Sequence, residues 1–174
     1  MFSALILAAA TTAGAAAAPP TATLDMVVPF VGACMDPGPN ADRIRAAVLK
    51  GGGTLASPKP GSTAAASNME AYLFANGGAP YSVIFDRSGT CSVVSGRVDI
   101  DVTKASLEHL VIGSSKVFDI SQTEGKAHAA GEAIVVEYRL TSKNKNGGLE
   151  LTLSRVTQEG KGTAIFLTRR VFAK

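Results

Sequence analysis

The sequence predicts an α+β protein, a single antiparallel sheet of five or six strands with two helices packed on one face. Three observations lead there. Residues 134–141 and 149–156 alternate apolar and polar side chains, the period of a half-buried strand. Residues 41–50 and 104–111 instead place apolar side chains three and four apart, the period of a helix with one buried stripe. Short apolar runs lie between them, separated by Gly, Asn and Ser clusters that punctuate antiparallel hairpins.

The chain opens on an uncharged segment, 2–18. Leu5-Ile6-Leu7 start an apolar run that passes into alanine and then Pro19-Pro20. An apolar core followed by small residues is the pattern of a cleaved export signal. A cut after Ala16 or Ala17 satisfies the small-residue rule. The expected organisation is therefore a signal peptide over 1–17 and one α+β domain over 18–174. The leader has no Lys or Arg, so either the terminal amine alone supplies its positive charge or translation begins upstream. The run is too short and too rich in alanine to cross a bilayer core that needs about 20 apolar residues.

Met26 to Ala33 reads as a short strand or extended lead-in. Asp36-Pro37-Gly38-Pro39 is a turn cluster, and Asn40 offers a side-chain oxygen to cap a helix over 41–50. Ile44, Ala47 and Val48 share its apolar face. Lys50 suits the negative end of the dipole, and Gly51 stops the helix. Residues 54–67 read as a loop. Strands are expected at about 69–75, 81–86 and 90–98, with turns at Asn76-Gly77-Gly78 and Arg87-Ser88-Gly89. Asp101 or Thr103 would cap the second helix, whose stripe is Leu107, Leu110 and Val111 and whose end is Gly113. Residues 121–131 are polar and read as a loop. The last three strands form a meander, with Val136, Tyr138, Leu140, Leu149, Leu151 and Leu153 pointing inward. They turn at Lys143–Gly147 and at Gly160-Lys161-Gly162. No internal repeat of fixed period is visible.

Composition bounds the function. The chain has no tryptophan and few aromatics, so the core is aliphatic. Net charge is +3, but within residues 134–174 Arg139, Lys143, Lys145, Arg155, Lys161, Arg169, Arg170 and Lys174 stand against Glu137, Glu150 and Glu159. A basic C-terminal sheet would suit an anionic envelope component or a protein partner. Equally, such residues guard the polar face and edges of a sheet. Basic residues are not interleaved with stacking aromatics, which disfavours nucleic acid as a partner.

Cys34 and Cys91 are the only cysteines. An even count in an exported chain reads as a disulfide. Closing a loop of this length stabilises a fold by about 4 kcal/mol in the chain-entropy account. Two alternatives compete. Val31-Gly32-Ala33-Cys34 looks like a lipobox, which would make Cys34 a lipid anchor, although Pro19-Pro20, Asp25 and Pro29 separate it from the apolar run. A reactive thiol would need a base, and no local pattern brings His109 or His128 to either cysteine.

Other chemistry is weakly supported. Gly51-Gly52-Gly53 follows a helix, whereas a phosphate cradle precedes one. Ser142-x-x-Lys145 sits at a hairpin turn rather than opening a helix. Glu70 and Asp86 could be neighbours at a strand end. Asp99, Asp101, Glu108 and His109 form the one conceivable carboxylate–imidazole site, which would make the protein a small envelope enzyme or metal binder. The favoured reading has no catalytic residue, cofactor or metal. It is a periplasmic or secreted binding or envelope-accessory module.

Phe30-x-x-x-Cys34, then Pro37-x-x-Asn40 before a short helix ending in glycine, and later Gly89-Thr90-Cys91-Ser92-Val93, form a recognisable arrangement. It resembles a loose group of short, exported, uncharacterised proteins of Gram-negative bacteria in which two cysteines bracket a similar segment. The resemblance covers residues 28–112. It implies a periplasmic location and a Cys34–Cys91 pair, and carries no activity.

Overall fold

The computed structural model describes residues 24–56, 68–75, 79–125, 131–144, 147–158, 160 and 162–173. The expected signal peptide, most of the 54–67 loop, the Asn76-Gly77-Gly78 turn, His128, Lys145, Lys161 and Lys174 lie outside them.

The class is α+β with one antiparallel sheet, but the sheet has eight strands rather than five or six, and the described helices number three rather than two. Helix α1 (Val27–Phe30) runs directly into a π-helical turn, Val31–Met35. Helix α2 (Ala41–Lys50) precedes β1 (Thr54–Leu55), β2 (Glu70–Phe74), β3 (Tyr81–Phe85) and β4 (Cys91–Ser95). Helix α3 (Ile100–Gly113) precedes β5 (Phe118–Glu124), β6 (Glu132–Ser142), β7 (Gly148–Gln158) and β8 (Gly162–Phe172). The strand order is β1-β2-β3-β4-β8-β7-β6-β5. Each half ends in a four-stranded meander, preceded by α1, the π-helical turn and α2 in the first and by α3 alone in the second, and the halves join where β4 pairs antiparallel with β8. The duplication is topological, which is why no sequence repeat announces it.

The two unforeseen strands are the sheet's edges. Strand β1 has two residues, both exposed, and lies in the stretch read as loop. In β5 only Phe118 and Ile120 contribute apolar contacts to the core. The remaining polar residues made the segment look like loop, yet it pairs with β6 from Phe118 to Glu124.

The lead-in 26–33 is helical, not extended. Its β-branched residues favoured a strand reading, but Asp25 decides otherwise. The Asp25 carboxylate accepts from the Val27 amide at 3.0 Å, and its other oxygen accepts from the Ser106 hydroxyl at 2.7 Å. That caps α1 and ties it to α3. Pro29 falls within the first turn, where its missing N–H loses no intrahelical bond.

Helix α2 has the expected bounds. Asn40 Oδ1 accepts from the amides of Asp42 and Arg43, and Ile44 and Val48 are buried. The left-handed residue that follows is Gly52, φ +87°, one place later than expected. Helix α3 begins earlier than the apolar stripe implied. Asp99 is the N-cap, its Oδ1 accepting from Val102 N at 3.0 Å. Thr103 is instead buried, with its Oγ1 accepting from the Met26 amide.

All three helices cover one face. Met26, Phe30, Ile44, Val48, Leu107 and Val111 meet Tyr72, Phe85, Val93, Val136, Tyr138, Leu151, Leu153 and Leu167 in one core. The inward residues expected of the meander are buried, apart from half-buried Leu149. Arg45 pins α2 to β2 by a paired contact with Glu70, whose Oε2 also accepts from Tyr72 OH at 3.1 Å. The helix-free face carries Ile84, Val94, Ala164 and Phe166, with Ser92 and Thr168 hydrogen-bonded between their strands at 2.8 Å.

Candidate functional site

Two places gather chemistry: a buried clamp where the halves join, and a cleft at the sheet's rim.

At the clamp, Cys34 and Cys91 lie with their sulfurs 2.00 Å apart and Cα atoms 5.6 Å apart, at disulfide distance. Cys34 belongs to the π-helical turn and Cys91 opens β4, and both are fully buried. A diacylglyceryl thioether on Cys34 would occupy the same sulfur, so this geometry opposes the lipid-anchor reading. Both thiols are consumed by the bond and sealed from solvent, which leaves no nucleophile there.

Arg169 is the residue that sequence reasoning misplaced. Counted among the surface cations, it is in fact 1% exposed, directly across from Cys91 in the β4–β8 register. One guanidinium nitrogen donates to the Cys34 carbonyl and the other to the Gly89 carbonyl at 2.8 Å. The side chain thus ties the two segments that the cysteines join. No carboxylate among the described residues pairs with it, and its Nε is buried without a partner. Burial pushes its pKa below the ordinary value. A signal was present in the sequence: Ile165, Leu167 and Arg169 share one parity in the last strand, so the period of two already points Arg169 inward. The adjoining Arg170, truly exposed, made the pair look solvated.

Gly89 completes the clamp. Its φ is +86°, and a Cβ there would sit 2.8 Å from Pro39 Cβ. Only glycine lets this turn close under the 36–39 cluster and present its carbonyl to Arg169.

The four proposed ligands do not assemble. Asp99 is used as a cap, and Asp101, Glu108 and His109 lie on the exposed side of α3. Asp101 and Glu108 are seven residues apart, about 10 Å along a helix axis, which is too far to share one ion. No group of three or more His, Cys, Asp or Glu among the described residues could hold a metal. Glu70 and Asp86 also have structural partners, Arg45 for the first and Ser88 and Thr90 for the second.

The basic C-terminal set is largely engaged. Arg139 stacks 4.3 Å over the Phe172 ring. Lys143 Nζ donates to the Ser115 and Lys116 carbonyls just past α3. Arg170 lies 3.8 Å from Glu150. Among the described members of the set, Arg155 alone has no hydrogen-bond, ion-pair or ring partner.

Arg155 lines the cleft. Its floor is the outer end of the β7–β8 hairpin, where Arg155 is opposite Ile165 and Thr157 opposite Thr163 on the helix side. The two threonine hydroxyls are 3.2 Å apart. Gly96, Val98 and Ile100, at the crossing from β4 into α3, form the wall. The cleft is an open depression of about 330 Å³. One arginine, two threonines and three aliphatic residues therefore line one small space.

These features define a disulfide-tied α+β domain with a one-sided helical cover. Comparison with protein-family models, curated proteins and solved structures finds no match. No helix among the described residues is long and apolar enough to cross a membrane.

Proposed function

We propose that this protein is an exported binding or envelope-accessory module of the periplasm or extracellular space, and that it is non-catalytic. The observation that carries this reading is the buried Cys34–Cys91 pair clamped by Arg169. Cystines persist in oxidising compartments. One buried at the centre of the fold acts in structure rather than in thiol exchange. The resemblance of residues 28–112 to short exported proteins of Gram-negative bacteria points the same way. Binding would use the rim cleft or the helix-free sheet face, where Glu150 and Arg170 sit beside Ser and Thr side chains. A broad anionic envelope surface is a poorer fit, since Arg139, Arg169 and Arg170 already have partners.

The test is the intact mass of the protein from its native host, with and without reduction and alkylation. A chain starting at Ala17 or Ala18, whose two thiols react only after reduction, is the expected result. A chain starting at a lipid-bearing Cys34, or a full-length chain with free thiols, would overturn the proposal.

A further inference from the structure

We propose that the rim cleft is a binding site for a small aliphatic carboxylate, with Arg155 holding the carboxylate and Val98, Ile100 and Ile165 the carbon chain. The proposal rests on the binding-module reading and names its ligand class.

The chemistry follows from the lining. Arg155 and Thr157 are two residues apart on β7, so both side chains rise from the same face of the sheet. Thr163 and Ile165 rise beside them from β8 in direct register. Among the described residues, the only charge lining the cleft is positive, and none of them neutralises it. A planar guanidinium presents paired N–H donors that match a carboxylate's two oxygens. The hydroxyls of Thr157 and Thr163 bond to each other, so one proton is used between them and the accepting hydroxyl keeps its own to donate to a carboxylate oxygen.

A doubly charged phosphate would want more than one cation. An apolar ligand would leave the guanidinium and hydroxyls without partners. The opposite wall is aliphatic, which favours a hydrocarbon chain over a sugar. The volume falls at the low end of small-ligand sites, about 300–1,000 Å³, which favours a short chain.

The experiment is a titration of the full mature, disulfide-bonded protein with hexanoate, followed by backbone amide NMR shifts, with 1-hexanol as the uncharged control. Expected are shifts confined to residues 96–100, 155–157 and 163–165, and binding at least about tenfold weaker for hexanol. Arg155→Gln should weaken hexanoate binding by about tenfold or more. Lys116→Gln, in the exposed turn that follows α3, should leave it unchanged. Equal binding of hexanol, an unaffected Arg155→Gln, shifts located elsewhere, or no shifts at millimolar hexanoate would each overturn the assignment. Export and the cystine are read by mass instead, so failure of the ligand assignment and failure of the module reading are distinguishable.

Discussion

Arg169 and Glu70 show how differently two charged residues use burial. The Arg169 guanidinium lies in the interior on two carbonyl oxygens, and its desolvation is offset only by those bonds. Glu70 sits at a half-exposed edge, where Arg45 approaches it from α2. Its hydrogen bonds from Arg45 hold its carboxyl below the ordinary value of 4.5. A depressed folded-state pKa adds stability that is complete above about pH 4.5 and is lost as the pH falls through the lower folded value. Glu70→Gln should therefore cost about 1 kcal/mol at pH 7, with solvent screening keeping it that small. The difference from wild type should vanish in strong acid. Urea titrations of both proteins across pH 7 to 2 check this, and a gap that persists or widens at pH 2 would exclude the ion pair as its cause.

At the scale of elements, the lead-in from α1 through the π-helical turn has two tethers to the sheet. One is the cystine, and the other is the pair of Arg169 bonds beside it. Removing the cystine by Cys34→Ala with Cys91→Ala should lower stability by about 4 kcal/mol, the value for a closed loop of this length. Residues 31–36 should nonetheless stay resistant to protease, because Arg169 still holds the Cys34 carbonyl. Adding Arg169→Ala should release them, while residues 24–26 stay tied to α3. Limited proteolysis with mass readout decides the matter, and cleavage within 31–36 in the cysteine double variant alone would show that Arg169 supplies no tether. This element was also the least legible. Met26 to Ala33 reads as a strand by side-chain type, and the Asp25 cap on Val27 makes it helical together with distant partners, Ser106 for Asp25 and Thr103 for the Met26 amide.

At the scale of the molecule, the seam governs cooperativity. Strands β7 and β8 pair over eleven residues, and β4 joins β8 over five, so the longest ladder adjoins the one sheet contact between halves among the described residues. Unfolding that seam exposes the core of both meanders. The slowest amide hydrogen exchange should therefore fall in β7, β8 and β4, with β1 and the outer edge of β5 exchanging fastest. Native-state exchange by mass spectrometry checks the order. Protection of β5 equal to that of β7 would mean that another strand covers this edge.

The sequence by itself determined the fold class, the bounds of α2, the inward side of the final meander and the pairing expected of Cys34 with Cys91. These rest on local periodicity, capping chemistry and cysteine arithmetic, which neighbouring residues suffice to specify. Only tertiary structure decided the rest. Strand β5 needs β6 beside it to be a strand at all. Asp99 caps α3 while Thr103 goes inside, because α1 arrives to take its hydroxyl. Arg169 is buried because β8 lies in the middle of an eight-stranded sheet, under the turn that the cystine holds. The cleft exists because the β4–α3 crossing passes over the end of a hairpin more than fifty residues later in the chain. Such sites depend on which strands become neighbours, and that order is set by long-range packing rather than by any local pattern.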